Sequence, residues 1–187
     1  MALEIKVEIT NTKDKLIIAD VTGNYNGVTN PGGWGSPNPA YSDITALSLN
    51  VFYPGSSVAD LSAFNLYTTS YYTTTDRAYD LTSNVTLQDG VWKFEYSYSY
   101  TVTDISGTYT VTSTNTIYSL RDIDLKCKIG QLALGDMETN NFDEIKSMYD
   151  RMVQAFLCEE YIFAQELYEE ISDMLTDCSP YSYNCNC

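Results

Sequence analysis

The chain has 187 residues and a formal net charge of −15, from 10 Lys and Arg against 25 Asp and Glu, with 44% hydrophobic and 13% aromatic content and no histidine. That balance excludes a sequence-independent grip on phosphate backbones, which needs clustered cations. The missing imidazole removes the commonest general base, the Ser-His and Cys-His nucleophile pairs and the usual zinc ligand, so neither catalysis nor a cofactor is expected.

No run approaches the ~18 apolar residues of a membrane span, and the opening MALEIKVEIT alternates instead of forming a signal peptide's apolar centre. A soluble, cytoplasmic origin is expected. Five cysteines, an odd number and all after residue 126, predict reduced thiols over a secreted disulfide framework.

From Leu3 to about Leu120 the dominant period is two. Leu3, Ile5, Val7 and Ile9 share one face of a half-buried strand, with Glu4, Lys6, Glu8 and Thr10 on the other. Further strands are predicted at Leu16–Val21, Ile44–Tyr53, Phe64–Thr73, Leu81–Leu87, Val91–Thr103 and Tyr109–Tyr118, separated by turn signals such as NTKD, YPGSS, QDG and DISG. Short strands at this spacing, with no helical pattern between them, predict an antiparallel β-sandwich. In VWKFEYSYSYTVT, the residues Trp92, Phe94, Tyr96, Tyr98, Tyr100 and Val102 fall on one face and predict core. The rival reading of that row is an exposed ridge for glycan stacking or subunit contact.

The stretch TGNYNGVTNPGGWGSPNPAY, residues 22–41, breaks the alternation with five Gly and three Pro around Trp34. A loop this long in a compact domain is usually functional or disordered. Docking on a neighbouring subunit, packing on its own domain and ligand binding are the three readings, and Tyr25 and Tyr41 would serve with Trp34.

After Leu120 the period becomes helical. In NFDEIKSMYDRMVQAFL, the residues Phe142, Ile145, Met148, Tyr149, Met152, Val153, Phe156 and Leu157 make one stripe. Asn141 is placed to cap it, and Asp143 and Glu144 suit the positive end of the helix dipole. A less regular helix is expected over about Arg121–Met137, and a third over roughly Glu160–Asp177 with Ala164, Leu167, Tyr168, Ile171, Met174 and Leu175 inward. The predicted class is therefore α+β: a sandwich over 1–119, a two-to-three-helix module over 120–178 and a Cys-rich tail over 179–187.

No catalytic or ligand-binding constellation is complete in the sequence. Asp122 with Asp124, or Glu169 with Glu170, are too close along a helix to face each other across a cleft, and predict a solvated face. Asp136, Glu138 and Asn140 begin like a calcium loop, but Asn141 stands where Gly is required and Ser147 where the bidentate Glu belongs. The glycines of residues 23–35 lack the Gly-Lys-Ser/Thr ending of a phosphate loop. In the tail, Cys178, Cys185 and Cys187 would supply three thiolates and no fourth ligand. Cys158 and Cys178 would lie about 28 Å apart along a helix, too far to bond directly. Free thiols, a local disulfide and a metal site are the readings left for the tail.

The third helix is less routine. Glu166, Glu169, Glu170, Asp173 and Asp177 form an acidic stripe, with no Lys or Arg between Glu159 and Cys187. Like charges at i, i+4 cost a few tenths of a kcal/mol per pair, and acids near a helix C-terminus oppose the dipole. Either the stripe is a plain solvated face or it meets a basic partner or a DNA conduit.

The run LKCKIGQLALGDMETNNFDEIKSMYDRMVQAFLCEEYIFAQELYEEISDMLTDC, followed by CNC, resembles the C-terminal helical part of virion structural proteins from crAss-like short-tailed bacteriophages, over about the last 65 residues. The resemblance implies a neck or tail ring protein, or head-tail connector. Such a protein is assembled in the host bacterial cytoplasm and stacked as a cyclic, often twelvefold, homo-oligomer against portal, neighbouring rings or tail hub. It implies a lumen through which DNA passes without specific binding. Trp34, Tyr25, Tyr41, the acidic stripe, Tyr181 and Tyr183 are then the expected subunit or partner contacts. The alternative is a carbohydrate-binding β-sandwich module on a virion fibre or capsid.

Overall fold

The computed structural model of the chain describes residues 3–12, 15–25, 28–30, 44–65, 79–104, 107–134 and 141–176. Among the described residues, strands followed by three helices make an α+β arrangement. The chain divides into two compact units, Met1–Phe52 with Ser56–Leu87 and Lys93–Ser119, and Tyr53–Gly55 with Gln88–Trp92 and Leu120–Cys187. The helical unit thus takes two short segments that a simple division at residue 119 leaves out.

In the first unit, β1 (Leu3–Asn11) pairs antiparallel with β2 (Leu16–Tyr25), from Leu3 opposite Tyr25 to Asn11 opposite Leu16. Strand β3 (Val28–Asn30) pairs with the end of β2. The expectation of one loop over 22–41 is therefore corrected at its start. Tyr25 stands opposite Val28, leaving between them Asn26-Gly27, the residue pair that two-residue hairpins favour. Trp34 and Tyr41 lie outside the described residues.

A second sheet has the order β5-β4-β7-β8, from β4 (Ile44–Phe52), β5 (Leu61–Asn65), β7 (Gly90–Asp104) and β8 (Gly107–Arg121). Period-two alternation holds in β7: Phe94, Tyr96 and Tyr98 are buried, while Lys93, Glu95, Ser97 and Ser99 stay partly exposed. Glu95 accepts an ion pair from Lys93 at 2.6 Å on that outer face. The row is core, not a glycan ridge, at these positions. Ser97 pairs with Thr114 at 2.8 Å and Ser99 with Thr112 at 2.9 Å, hydroxyl to hydroxyl across β7 and β8.

The predicted strand Leu81–Leu87 is not one. Tyr79–Asp80 forms the short β6 against β2, and Thr82–Asn84 is a 3-10 turn. Asp80 accepts the Thr82 backbone N–H at 2.9 Å, and Thr82 Oγ1 accepts the Leu16 N–H at 3.0 Å. These side-chain bonds to backbone outcompete the ladder, and Leu81 is fully buried beside them. Most of the predicted strand Phe64–Thr73 lies outside the described residues.

The helical unit contains α1 (Ile123–Ala133), α2 (Phe142–Leu157) and α3 (Tyr161–Thr176). Its core takes Leu125 and Leu132 from α1, Ile145, Met148, Met152 and Ala155 from α2, and Ala164, Leu167, Ile171 and Leu175 from α3. The turn between α2 and α3 closes through Glu160 N–H to Ala155 C=O at 2.9 Å, with Glu159 in the left-handed region at φ 64°. Asn141 does hold the N-cap position of α2, but its side chain makes no capping bond. Among the described residues no helix is long and apolar enough to cross a membrane.

Candidate assembly surface on the helical unit

The helical unit is organised around a buried charge cluster. Asp89 Oδ1 pairs with Arg121 Nη1, and Asp89 Oδ2 accepts the Leu125 backbone N–H at 2.9 Å. Leu125 lies in the first turn of α1, where backbone donors lack intrahelical partners. Asp89 therefore caps α1 from outside the helix and neutralises Arg121 with the same carboxylate. Asp122, at the N-cap position itself, makes no side-chain cap. It accepts the Tyr149 hydroxyl at 2.7 Å from α2 and pairs with Lys126 at 3.0 Å. Asp122 is buried, which corrects its assignment to a solvated face; Asp124 is exposed as expected.

Burial first, and then the bond to Asp122, push the Tyr149 phenol well above its ordinary value of 10.0. Burial raises Tyr168 as well. Tyr149 therefore stays a neutral donor to Asp122 through the physiological range.

A second network ties α3 to the strand segments of the unit. Val91 N–H donates to Gln165 Oε1 at 2.8 Å, and Gln165 Nε2 donates to Glu169 Oε1 at 2.9 Å. Gly90 at φ 126° allows this approach, because a Cβ there would lie 2.5 Å from Pro54 Cβ and 2.9 Å from Gln165 Oε1. Trp92 is fully buried, donates Nε1–H to the Gln88 carbonyl at 2.9 Å and meets Tyr53 edge-on at 5.1 Å.

On this frame α3 presents its acidic row. Glu166, Glu169, Glu170 and Asp173 are all exposed on one face, headed by Ile162 at 79% exposure. Leu157, 68% exposed, sits at the same α2–α3 turn. The structure thus brings together four of the five predicted acids and adds two bare aliphatic side chains at their head. It also separates one acid from the others: Glu169 holds Gln165 and lies where a Gly55 Cβ would come within 3.1 Å. Asp177, Tyr181, Tyr183, Cys178, Cys185 and Cys187 lie outside the described residues, as does the side chain of Tyr25.

Beside the turn, Asp143, Lys146, Asp150, Arg151, Cys158 and Phe163 line an open groove between α2 and α3. Arg151 stands 5.8 Å from the Phe163 ring centre. With Glu160, three acids and two cations line it, so no strong preference for either sign of ligand charge follows. Among the described residues no group of His, Cys, Asp and Glu is placed to hold a metal ion. Comparison with protein-family models, curated proteins and solved structures finds no match.

Proposed function

We propose that the chain is a structural virion component, a ring-forming head-tail connector or tail protein of a tailed phage that assembles around the DNA conduit. The observation that carries this reading is the α3 face. Glu166, Glu170 and Asp173 stand exposed on a helix without a single cation, beneath a bare Ile162. Such a row lowers the stability of an isolated helix. It suits either a basic neighbour in a stack or a lumen wall from which DNA is repelled.

The resemblance of the helical run to crAss-like phage virion proteins points the same way. The two four-stranded sheets then serve as the layers of a β-sandwich from which subunit contacts project. Burial removes Phe94, Tyr96 and Tyr98 from any glycan-stacking ridge, whereas the alternative carbohydrate module would use Trp34, Tyr25 and Tyr41, whose side chains lie outside the described residues.

Imaging the purified full chain by negative-stain electron microscopy tests the proposal: closed rings of one size are expected, and particles without a central opening would refute it.

A further inference from the structure

The two edges of the β5-β4-β7-β8 sheet are built in opposite ways. At the β5 edge the strand has five residues, the register slips between Leu49 and Val51, and Ala63 is turned to φ 52°. The Asn50 side chain accepts the Ala63 N–H at 2.8 Å. These are the devices that keep a sheet edge from recruiting another strand.

The β8 edge has none of them. It runs for 15 residues, and from Gly107 to Leu120 it contains no Pro, no Lys and no charge of either sign. Among the described residues β7 is its only strand neighbour. Thr110, Thr112, Thr114 and Thr116 occupy successive outward positions on one exposed face.

We infer that the β8 edge is a docking surface for the β8 edge of a second copy of this chain, the two strands pairing antiparallel about a two-fold axis. Two observations select that occupant. The chain carries −15, so copies repel over most of their surface, and a 14-residue neutral strip is a place where they meet without that cost. The strip is also self-complementary. In an antiparallel ladder opposed side chains share a face. A register centred on Ser113 therefore sets Thr112 against Thr114 and Thr110 against Thr116 of the second copy. Thr–Thr pairs across antiparallel strands are favourable, whereas like charges directly opposite are not.

The inference does not rest on the connector reading, since a two-fold contact forms whether or not copies also close into a ring. One strand pair buries less than the roughly 1,200–2,000 Å² of a standard interface, so association is expected in the micromolar range. Sedimentation equilibrium of the full chain from about 1 to 100 µM, beside the variant Thr112→Lys/Thr114→Lys, tests it. Expected are a reversible doubling of mass and a dissociation constant at least roughly tenfold weaker in the variant, which places two lysines against their counterparts. Hydrogen exchange of the unmodified chain provides a second reading, with amides of 108–116 slowing as concentration rises. A monomer throughout overturns the inference, as does any assembly whose mass the variant leaves unchanged and whose β8 amides ignore dilution. That last result would leave a ring built through other surfaces intact.

Discussion

Asp89 and Arg121, 32 residues apart in sequence, form an ion pair whose side chains are 3% and 4% exposed. Breaking a buried pair leaves one charge stranded and costs about 3–5 kcal/mol, whereas replacing both partners with apolar residues is often close to neutral. Asp89→Ala should therefore lower the urea midpoint sharply. Arg121→Met combined with Asp89→Leu should recover part of the loss, the remainder being the Leu125 N–H cap. Equal losses in the single and double variants would show that the charge pair is not what holds this cluster.

Gly90 is expected to be irreplaceable. Alanine at φ 126° carries backbone strain, and its Cβ would overlap Pro54 and the Gln165 amide. Strain and overpacking each contribute about 1–3 kcal/mol. Gly90→Ala should lose about 2 kcal/mol or more in equilibrium unfolding, and Gln165→Ala in the same background should recover little because the Pro54 contact remains.

Glu159 offers a gain. It closes the α2–α3 turn at φ 64°, where a residue with a Cβ is strained and glycine is not. Glu159→Gly should raise stability by about 0.5–1 kcal/mol. A melting temperature at or below that of the unmodified chain would contradict the assignment.

Alkaline pH should destabilise the protein through two half-buried phenols. Tyr149 and Tyr168 both titrate higher in the folded state than the ordinary 10.0, so the folded chain prefers them protonated. Their contribution is fully present below about pH 10 and is lost as pH rises above it. Stability measured from pH 8 to 12 should fall more gently in Tyr149→Phe than in the unmodified chain; parallel curves would exclude this residue as a source of the loss.

Elements with a local cause were legible in the sequence. The apolar stripe of α2 gave its span to the residue, and the alternation of β7 named Phe94, Tyr96 and Tyr98 as core. Failures came where distant partners decide. Leu81, Val85 and Leu87 mimic a strand's alternation, but Asp80 and Thr82 use their side chains to fold the backbone into a turn. Asp89 reads as turn punctuation in QDG, and Arg121 as an ordinary first-turn residue, because neither carries a local mark of the partner that buries it. The acidic row was visible by spacing, yet Glu169's bond to Gln165 was not. Asn-Gly at 26–27 was the overlooked signal for the β2–β3 pair.

That distinction shapes the test of the acidic face. Glu166→Gln, Glu170→Gln and Asp173→Asn together leave Glu169 in place and remove only like-charge repulsion. The triple variant should melt slightly higher than the unmodified chain, by a few tenths of a kcal/mol per removed pair, and should lose assembly. Assembly unaffected by the triple change would rule out a basic neighbour on the α3 face, leaving a lumen wall or a solvated surface.

The central claim, that the chain closes into a ring around a conduit, is tested most directly by mass photometry of the purified full chain together with electron microscopy of the same sample. The account predicts a closed species of fixed copy number with an open centre, alone or paired two-fold through β8. A chain that stays monomeric or dimeric at every concentration, and binds a glycan array in that state, would contradict it.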